Sequence, residues 1–68
     1  MENEVVMKVE GLGQGQAKKK ILRKIEAMPG VEYAGVDQKS GTVTVIGGDI
    51  DRLSLEDEIE AMGYPLVR

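Results

Sequence analysis

The order of two hydrophobic periodicities along the chain restricts its fold more than any other feature of the sequence. Residues 4–9 alternate, with Val5, Met7 and Val9 on one side, which predicts a strand with one buried face. Residues 16–28 space their apolar side chains three or four positions apart, which predicts a helix with one buried side. After residue 28 the same two periodicities predict two strands, a helix and a final strand, in that order.

Turn chemistry separates the remaining predicted elements. They are a strand at residues 31–37, a turn at 38–41, a strand at 42–46, a helix ending near residue 62 and a short strand at 64–67. Pro29 ends the first helix, and Gly41 closes the turn in the left-handed region, which leads into an antiparallel strand. We expect Asp51 or Ser54 to cap the second helix and Gly63 to end it.

The resulting order, βαββαβ, predicts a ferredoxin-like α+β sandwich. Each βαβ half crosses over right-handed, which places both helices on one face of a four-stranded antiparallel sheet. The predicted core consists of Met7 and the inward valines of the sheet together with Ile21, Ile25, Leu55 and Ile59. We expect one domain, residues 1–68, with a marginal core, because a chain of this size buries only about 60% of its unfolded surface.

Composition removes several classes of function. The chain has no cysteine and no histidine, so it lacks disulfides, thiolate metal sites, thiol nucleophiles and the usual general base. No pair of carboxylates has a reason to lie in a dry cleft, so we expect no enzymatic activity. A net charge of −3 and a pI of about 4.8 argue against a nucleic-acid partner.

The sequence also argues against a membrane partner. No apolar run approaches the roughly 20 residues that span a bilayer. The acidic residues Glu2 and Glu4 stand where a secretion signal would be basic. We therefore expect a soluble, cytoplasmic protein.

The stretch from residue 9 to residue 21 is the place where we expect function. Gly11, Gly13 and Gly15 separate the first strand from the first helix, and three consecutive lysines follow, namely Lys18, Lys19 and Lys20. Such a loop can bind phosphate through backbone N–H groups, although its glycine spacing matches neither the dinucleotide fingerprint nor a P-loop. The lysines oppose the helix macrodipole at a few tenths of a kcal/mol each, which indicates a role other than stability.

Signposts along the whole chain carry a resemblance to a known family. They are Val9-x-Gly11, Ile21 and Ile25, Pro29-Gly30-Val31, Val36-Asp37, Thr42-Val43-Thr44-Val45, and Ile59 followed by Gly63-Tyr64. With these residues the chain resembles the heavy-metal-associated domain family, which comprises small copper chaperones and the metal-binding repeats of metal-transporting ATPases.

The loop departs from the family's metal motif at its two most important positions. The motif Gly-Met-x-Cys-x-x-Cys aligns without gaps on Gly11, Leu12, Gly13, Gln14, Gly15, Gln16 and Ala17. The resemblance implies Cu(I) or another soft or borderline heavy-metal ion as ligand, with Tyr64 close to the loop. Gln14 and Ala17 replace both cysteines, and a carboxamide is a hard, weak donor. We therefore expect no metal site and no cofactor.

Charge segregation indicates a partner surface. The first helix carries five of the nine basic residues, which are Lys18, Lys19, Lys20, Arg23 and Lys24, while the second helix is acidic. The resemblance implies docking through the loop and the first helix, so we expect a monomer that binds another protein domain, either metal-transporting ATPase-like or acidic. The outward sheet face, with Val6, Tyr33 and Ile46, is a second candidate contact surface.

Two other interpretations stay open at this point. The chain could be an anion or small-ligand sensor that uses the glycine-rich loop, residues 11–16, with Lys18, Lys19 and Lys20. It could also be an engineered or designed scaffold from which the thiols were removed. The degenerate chaperone acting as a protein-binding module is the interpretation that the sequence favours.

Overall fold

The computed structural model describes residues 3–67, which form three strands and two helices. The elements are β1 (Asn3–Lys8), α1 (Ala17–Glu26), β2 (Val31–Asp37), β3 (Thr42–Gly47) and α2 (Arg52–Ala61). The strands are antiparallel and lie in the order β1-β3-β2. Both helices pack on one face of the sheet, as the alternation of the strands and the helical spacing predict.

The predicted fourth strand is the one element that the structure contradicts. Within the described residues the sheet has three strands, and residues 64–67 add only an isolated antiparallel bridge between Val9 and Leu66. Backbone hydrogen bonds flank this bridge, from Glu10 N to Pro65 O at 2.9 Å and from Val67 N to Lys8 O at 2.8 Å. The pairing does not extend toward α2, because Pro65 has no N–H with which to return the bond that its carbonyl accepts from Glu10 N. The Tyr64 N–H donates into the last turn of α2.

The core lies between the sheet and the two helices. It consists of Val5, Met7, Val9, Leu12, Ile21, Ile25, Ala34, Val43, Val45, Leu55, Ile59 and Leu66. The predicted inward residues are buried except Val36, which was predicted to face inward and is half-buried, and Leu12 and Leu66 are buried in addition. Each fully buried aliphatic side chain stabilises the fold by about 1.5–3 kcal/mol relative to an exposed one.

The turn between β2 and β3 forms as predicted and is hydrogen-bonded to the end of β1. Asp37 Oδ1 accepts hydrogen bonds from Lys39 N at 3.0 Å and from Ser40 N at 3.3 Å. Gly41 then turns the chain at φ 72°, in the left-handed region that glycine tolerates. The Gly41 carbonyl accepts a hydrogen bond of 2.8 Å from Val9 N, so this turn is attached to the end of β1.

The two helices begin differently. Asp51 caps α2, because its side chain accepts hydrogen bonds from Ser54 N at 3.2 Å and Ser54 Oγ at 2.9 Å. Gln16 stands at the same position before α1 but makes no side-chain capping bond. Of the two predicted caps for α2, Asp51 is therefore correct, and Gly63 follows the helix at φ 94°.

Both helices are short. Each contains 10 residues. Within residues 3–67 no helix has the length and apolar character that crossing a membrane requires.

Candidate functional site

The loop between β1 and α1 is anchored at both ends by buried side chains. Leu12 is 2% exposed and Ala17 is fully buried, whereas Gln14 and Gln16 face solvent. Gly11 turns the chain at φ 82°, a conformation that side chains with a Cβ rarely adopt. The two anchors leave the exposed middle of the loop projecting from one end of the sandwich.

Hydrogen bonds hold the anchored loop from two sides. Gln38, which is 26 residues away in the β2–β3 turn, donates from Nε2 to the Leu12 carbonyl at 2.9 Å. Within the loop, Gln14 N donates to Gly11 O at 3.3 Å, and Ala17 N donates to Gln14 O at 3.2 Å. Sequence reasoning missed Gln38, because nothing in a turn residue's identity indicates a bond over such a separation.

Tyr64 lies beside the loop. Its Cδ1 atom is 3.7 Å from the position that a Cβ at Gly11 would occupy. The ring is half-buried against the core. The structure thus brings Tyr64 to the start of the glycine loop, which is the neighbourhood that the family resemblance implies for it.

The donor atoms near the loop do not fit a soft metal cation. Gln14 offers only a carboxamide oxygen, and the Ala17 methyl group is buried in the core. Met7 is 2% exposed in the core, and Met28 and Met62 pack against it. Across residues 3–67 no group of three or more histidine, cysteine, aspartate or glutamate residues could hold a metal ion. Soft cations prefer thiolate and thioether ligands, so this loop lacks the chemistry that the family's metal needs.

Exposed cations follow the loop along α1. Lys18, Lys19 and Lys20 occupy the first turn, which contains no acidic residue. Gln16, Lys19, Lys20 and Arg23 line a surface cavity of about 230 Å³. Lys18 and Lys24 lie outside this cavity. We call the five cationic residues of α1 (Lys18, Lys19, Lys20, Arg23 and Lys24), together with the exposed loop positions 13–16, the loop–helix surface.

A second concavity lies between α1 and Met62, the residue that directly follows α2, and we call it the α1–α2 groove. Its volume is about 510 Å³, and its lining residues are Lys20, Arg23, Lys24, Ala27 and Met62. The lining is almost entirely apolar although it includes three cationic residues. The hydrocarbon stems of the lysines and the arginine therefore face the groove, while their charged groups reach toward water.

Charges on α2 are largely engaged within the protein. Glu58 Oε1 lies 3.4 Å from Lys24 Nζ, which joins the two helices. Arg52 Nη1 lies 3.6 Å from Glu56 Oε2 and donates to the Val6 carbonyl at 3.3 Å. The predicted opposition of charge between the helices is therefore partly neutralised by internal pairs.

The outward sheet face carries scattered apolar side chains. Val6 is 46% exposed and Tyr33 is 56% exposed, while Ile46 is half-buried. The Tyr33 ring lies along the sheet over Gly35, and its hydroxyl oxygen is 2.6 Å from the position that a Cβ at Gly35 would occupy. Part of this face is thus covered by the protein's own tyrosine.

Two helices on one face of an antiparallel sheet, in the order βαββα, place the chain in the ferredoxin-like class of small domains. The sequence profile of the Heavy-metal-associated domain matches residues 6–65. The chain belongs to the heavy-metal-associated domain family, and the resemblance carried by its signpost residues is confirmed.

Solved structures agree with this assignment. A CopZ metallochaperone is 28% identical with a TM-score of 0.88, and the match covers 96% of this chain and all (100%) of that one. The water-soluble region of the P-type ATPase CopA from Bacillus subtilis is 29% identical with a TM-score of 0.87, covering 98% of this chain and 46% of that one. Oxidized MerP from Ralstonia metallidurans CH34 is 19% identical with a TM-score of 0.87, covers 98% of this chain and 96% of that one, and supports the fold alone. No curated protein sequence matches the chain.

Proposed function

We propose that this chain is a non-catalytic heavy-metal-associated domain that has lost soft-metal binding and acts as a protein-binding module. The loop–helix surface is the binding surface. The observation that carries the proposal is the intact loop geometry, with Leu12 and Ala17 buried and Tyr64 beside Gly11, combined with side chains that supply no thiolate. The scaffold of a metal loop is present while its ligands are absent.

The chemistry of the loop supports the loss of metal binding. A Cu(I) site in this fold depends on soft donors at positions 14 and 17. Gln14 is exposed to water, which competes with its weak carboxamide donor, and the side chain of Ala17 has no donor atom. The methionine sulfurs within residues 3–67 do not substitute, because Met7 is buried on the inner face of the sheet and Met28 and Met62 pack against the core.

The cations of α1 support a protein partner. Lys18, Lys19 and Lys20 stand where the macrodipole is positive, which costs a few tenths of a kcal/mol each, and the first turn holds no carboxylate to offset them. Exposed cations of this kind steer an acidic partner and raise its association rate. The family to which the chain belongs includes a metallochaperone and the soluble region of a P-type ATPase, so an ATPase domain of this kind that presents an acidic surface is the first partner to test.

The proposed loss of metal binding is tested by competition with a chelator. Cu(I) and Zn(II) are titrated into the full chain against a chelator of known affinity. We expect the chelator to keep the metal. Sub-micromolar binding of one metal ion per chain would contradict the proposal.

The proposed partner is tested by titrating the CopA soluble region into the isotope-labelled chain. We expect amide shifts concentrated in residues 11–20. The double variant Lys19→Glu with Lys20→Glu should weaken binding about tenfold or more, since like charges then face the acidic partner. The matched comparison is between the single variants Lys19→Glu and Lys39→Glu, which change the net charge by the same amount. Lys39 lies in the β2–β3 turn, so Lys39→Glu should leave the affinity nearly unchanged. Equal losses in these two single variants would mean that net charge, rather than this surface, governs binding.

The cavity on α1 favours a second candidate function, which is binding of a small anion. Three cations and one carboxamide line about 230 Å³ of space, and a guanidinium at Arg23 can bind a phosphate oxygen pair. Titration with inorganic phosphate and pyrophosphate tests this candidate. Amide shifts confined to residues 16–23 would support it, and no shifts at millimolar ligand would end it.

A further inference from the structure

The α1–α2 groove combines an apolar floor with a charged rim. Ala27 is exposed and Met62 is half-buried, and between them the lining is nearly free of polar atoms. An apolar surface of this kind gains free energy when a side chain covers it. The groove contains none of the loop residues 11–16 and does not include Tyr64. It is therefore a separate surface from the metal loop.

The rim carries a net positive charge. Lys24 is paired with Glu58, so these two groups offset each other. Lys20 and Arg23 form no ion pair within residues 3–67, although both lie beside the apolar floor. Two uncompensated cations over a hydrocarbon surface are complementary to carboxylates that flank an apolar side chain.

We propose that the α1–α2 groove binds an acidic segment of a partner protein, which inserts one apolar side chain between Ala27 and Met62 while its carboxylates pair with Lys20 and Arg23. The inference rests on the proposed protein-binding function, because the two cations also belong to the loop–helix surface. It adds the chemistry of the partner and a second contact region away from the loop.

Three short synthetic peptides test the proposal with the full chain. The first carries one leucine flanked by aspartates and glutamates, the second has alanine in place of the leucine, and the third has lysines in place of the acids. We expect the first peptide to shift the methyl signals of Ala27 and Met62. The second should bind about tenfold more weakly, because it loses most of the apolar burial. The third should not bind.

Charge variants localise the site. Arg23→Glu should weaken the leucine peptide about tenfold, because it replaces an attraction with a repulsion at the rim. Ala27→Asp should act in the same direction by placing a carboxylate on the floor. Lys39→Glu changes the net charge as much as Arg23→Glu but lies in the β2–β3 turn, so it should change the affinity less than twofold. Circular dichroism checks that each variant is folded.

The outcomes separate this inference from the proposed function. Equal affinity of the leucine and alanine peptides, or shifts centred on residues 11–16, would contradict peptide binding in the groove. Neither result would contradict the proposed protein-binding function. Binding of the CopA region through residues 11–20 without peptide binding would lead to the same two conclusions. Peptide binding in the groove without any response to the CopA region would remove the proposed partner instead. If only phosphatidylserine vesicles shifted the groove signals, the occupant would be a membrane and not an acidic peptide. If only a higher concentration of the chain shifted them, the occupant would be a second copy of the chain.

Discussion

The two helices of this domain bury similar faces but treat their charges in opposite ways. Each presents fully buried aliphatic residues to the sheet, including Ile21 on α1 and Ile59 on α2. On α2, Asp51 caps the first turn and Glu58 pairs with α1. On α1, the first turn is uncapped and its lysines have no partner among the described residues. The inner faces of both helices thus serve the fold, whereas the first-turn lysines on the outer face of α1 make no ion pair within residues 3–67.

The largest expected effect comes from restoring the thiols before α1. The double variant Gln14→Cys with Ala17→Cys should change the loop from no measurable Cu(I) binding to sub-micromolar binding, because two thiolates then stand at a helix N-terminus beside lysines, which favour the anionic form. Competition with a chelator measures the affinity. The control, Gln14→Ser with Ala17→Ser, has the same geometry without thiolates and should bind no better than the native chain. A folded cysteine variant without Cu(I) binding would show that the loop alignment is wrong.

Core truncation tests whether the inner faces of the two helices are equivalent. Ile21→Ala and Ile59→Ala should each lower the free energy of unfolding by about 2–5 kcal/mol, because each leaves a cavity at a fully buried position. Urea denaturation measures the change, with sulfate added if a variant is unfolded in dilute buffer. Leu53→Ala on α2 is the control, since Leu53 is 65% exposed and its loss should cost within about 0.5 kcal/mol. A loss at only one of the two isoleucines would break the equivalence.

The elements of the fold that depend on local pattern were predictable from the sequence. Alternation at Val5, Met7 and Val9 predicted β1, and two candidate caps, Asp51 and Ser54, predicted a helix start in this region, of which Asp51 is the actual cap of α2. The prediction of a fourth strand at residues 64–67 was wrong, because a short apolar run does not show which backbone donors are available. Pro65 has no N–H with which to return the bond that its carbonyl accepts from Glu10 N, so the pairing stops there on the side of α2.

The candidate site was only partly predictable. Alignment with the family motif identified Gln14 and Ala17, and their chemistry could be judged from residue type alone. The bond from Gln38 to the Leu12 carbonyl depends on packing between segments far apart in sequence, so no local pattern contains it. Charge segregation predicted two opposed helices, but it did not predict that Lys24 would be paired while Lys20 and Arg23 would remain available.

Caps test the difference between the helix starts directly. Asp51→Ala should lower the free energy of unfolding by about 0.5–2 kcal/mol, because the Ser54 N–H loses its acceptor. Gln16→Ala is the matched change before α1 and should cost within about 0.5 kcal/mol, since Gln16 makes no capping bond. Thermal or urea unfolding measures both. Equal costs would mean that α1 is capped in solution by a contact that the described geometry lacks.

The smallest expected effect concerns the first turn of α1. Whether the free energy of unfolding rises or falls there decides whether the lysines serve the fold. Replacing Lys19 and Lys20 together by glutamine removes two cations from the positive end of the helix, so the free energy of unfolding should rise by about a few tenths of a kcal/mol per lysine at low salt. Lys39→Gln is the control and should change little, because it lies outside the helix. The gain should shrink as NaCl is added, since salt screens exposed charges. The same double variant should bind the CopA region more weakly. If removing the lysines lowered stability, they would be serving the fold, and the outer face of α1 would no longer differ from that of α2.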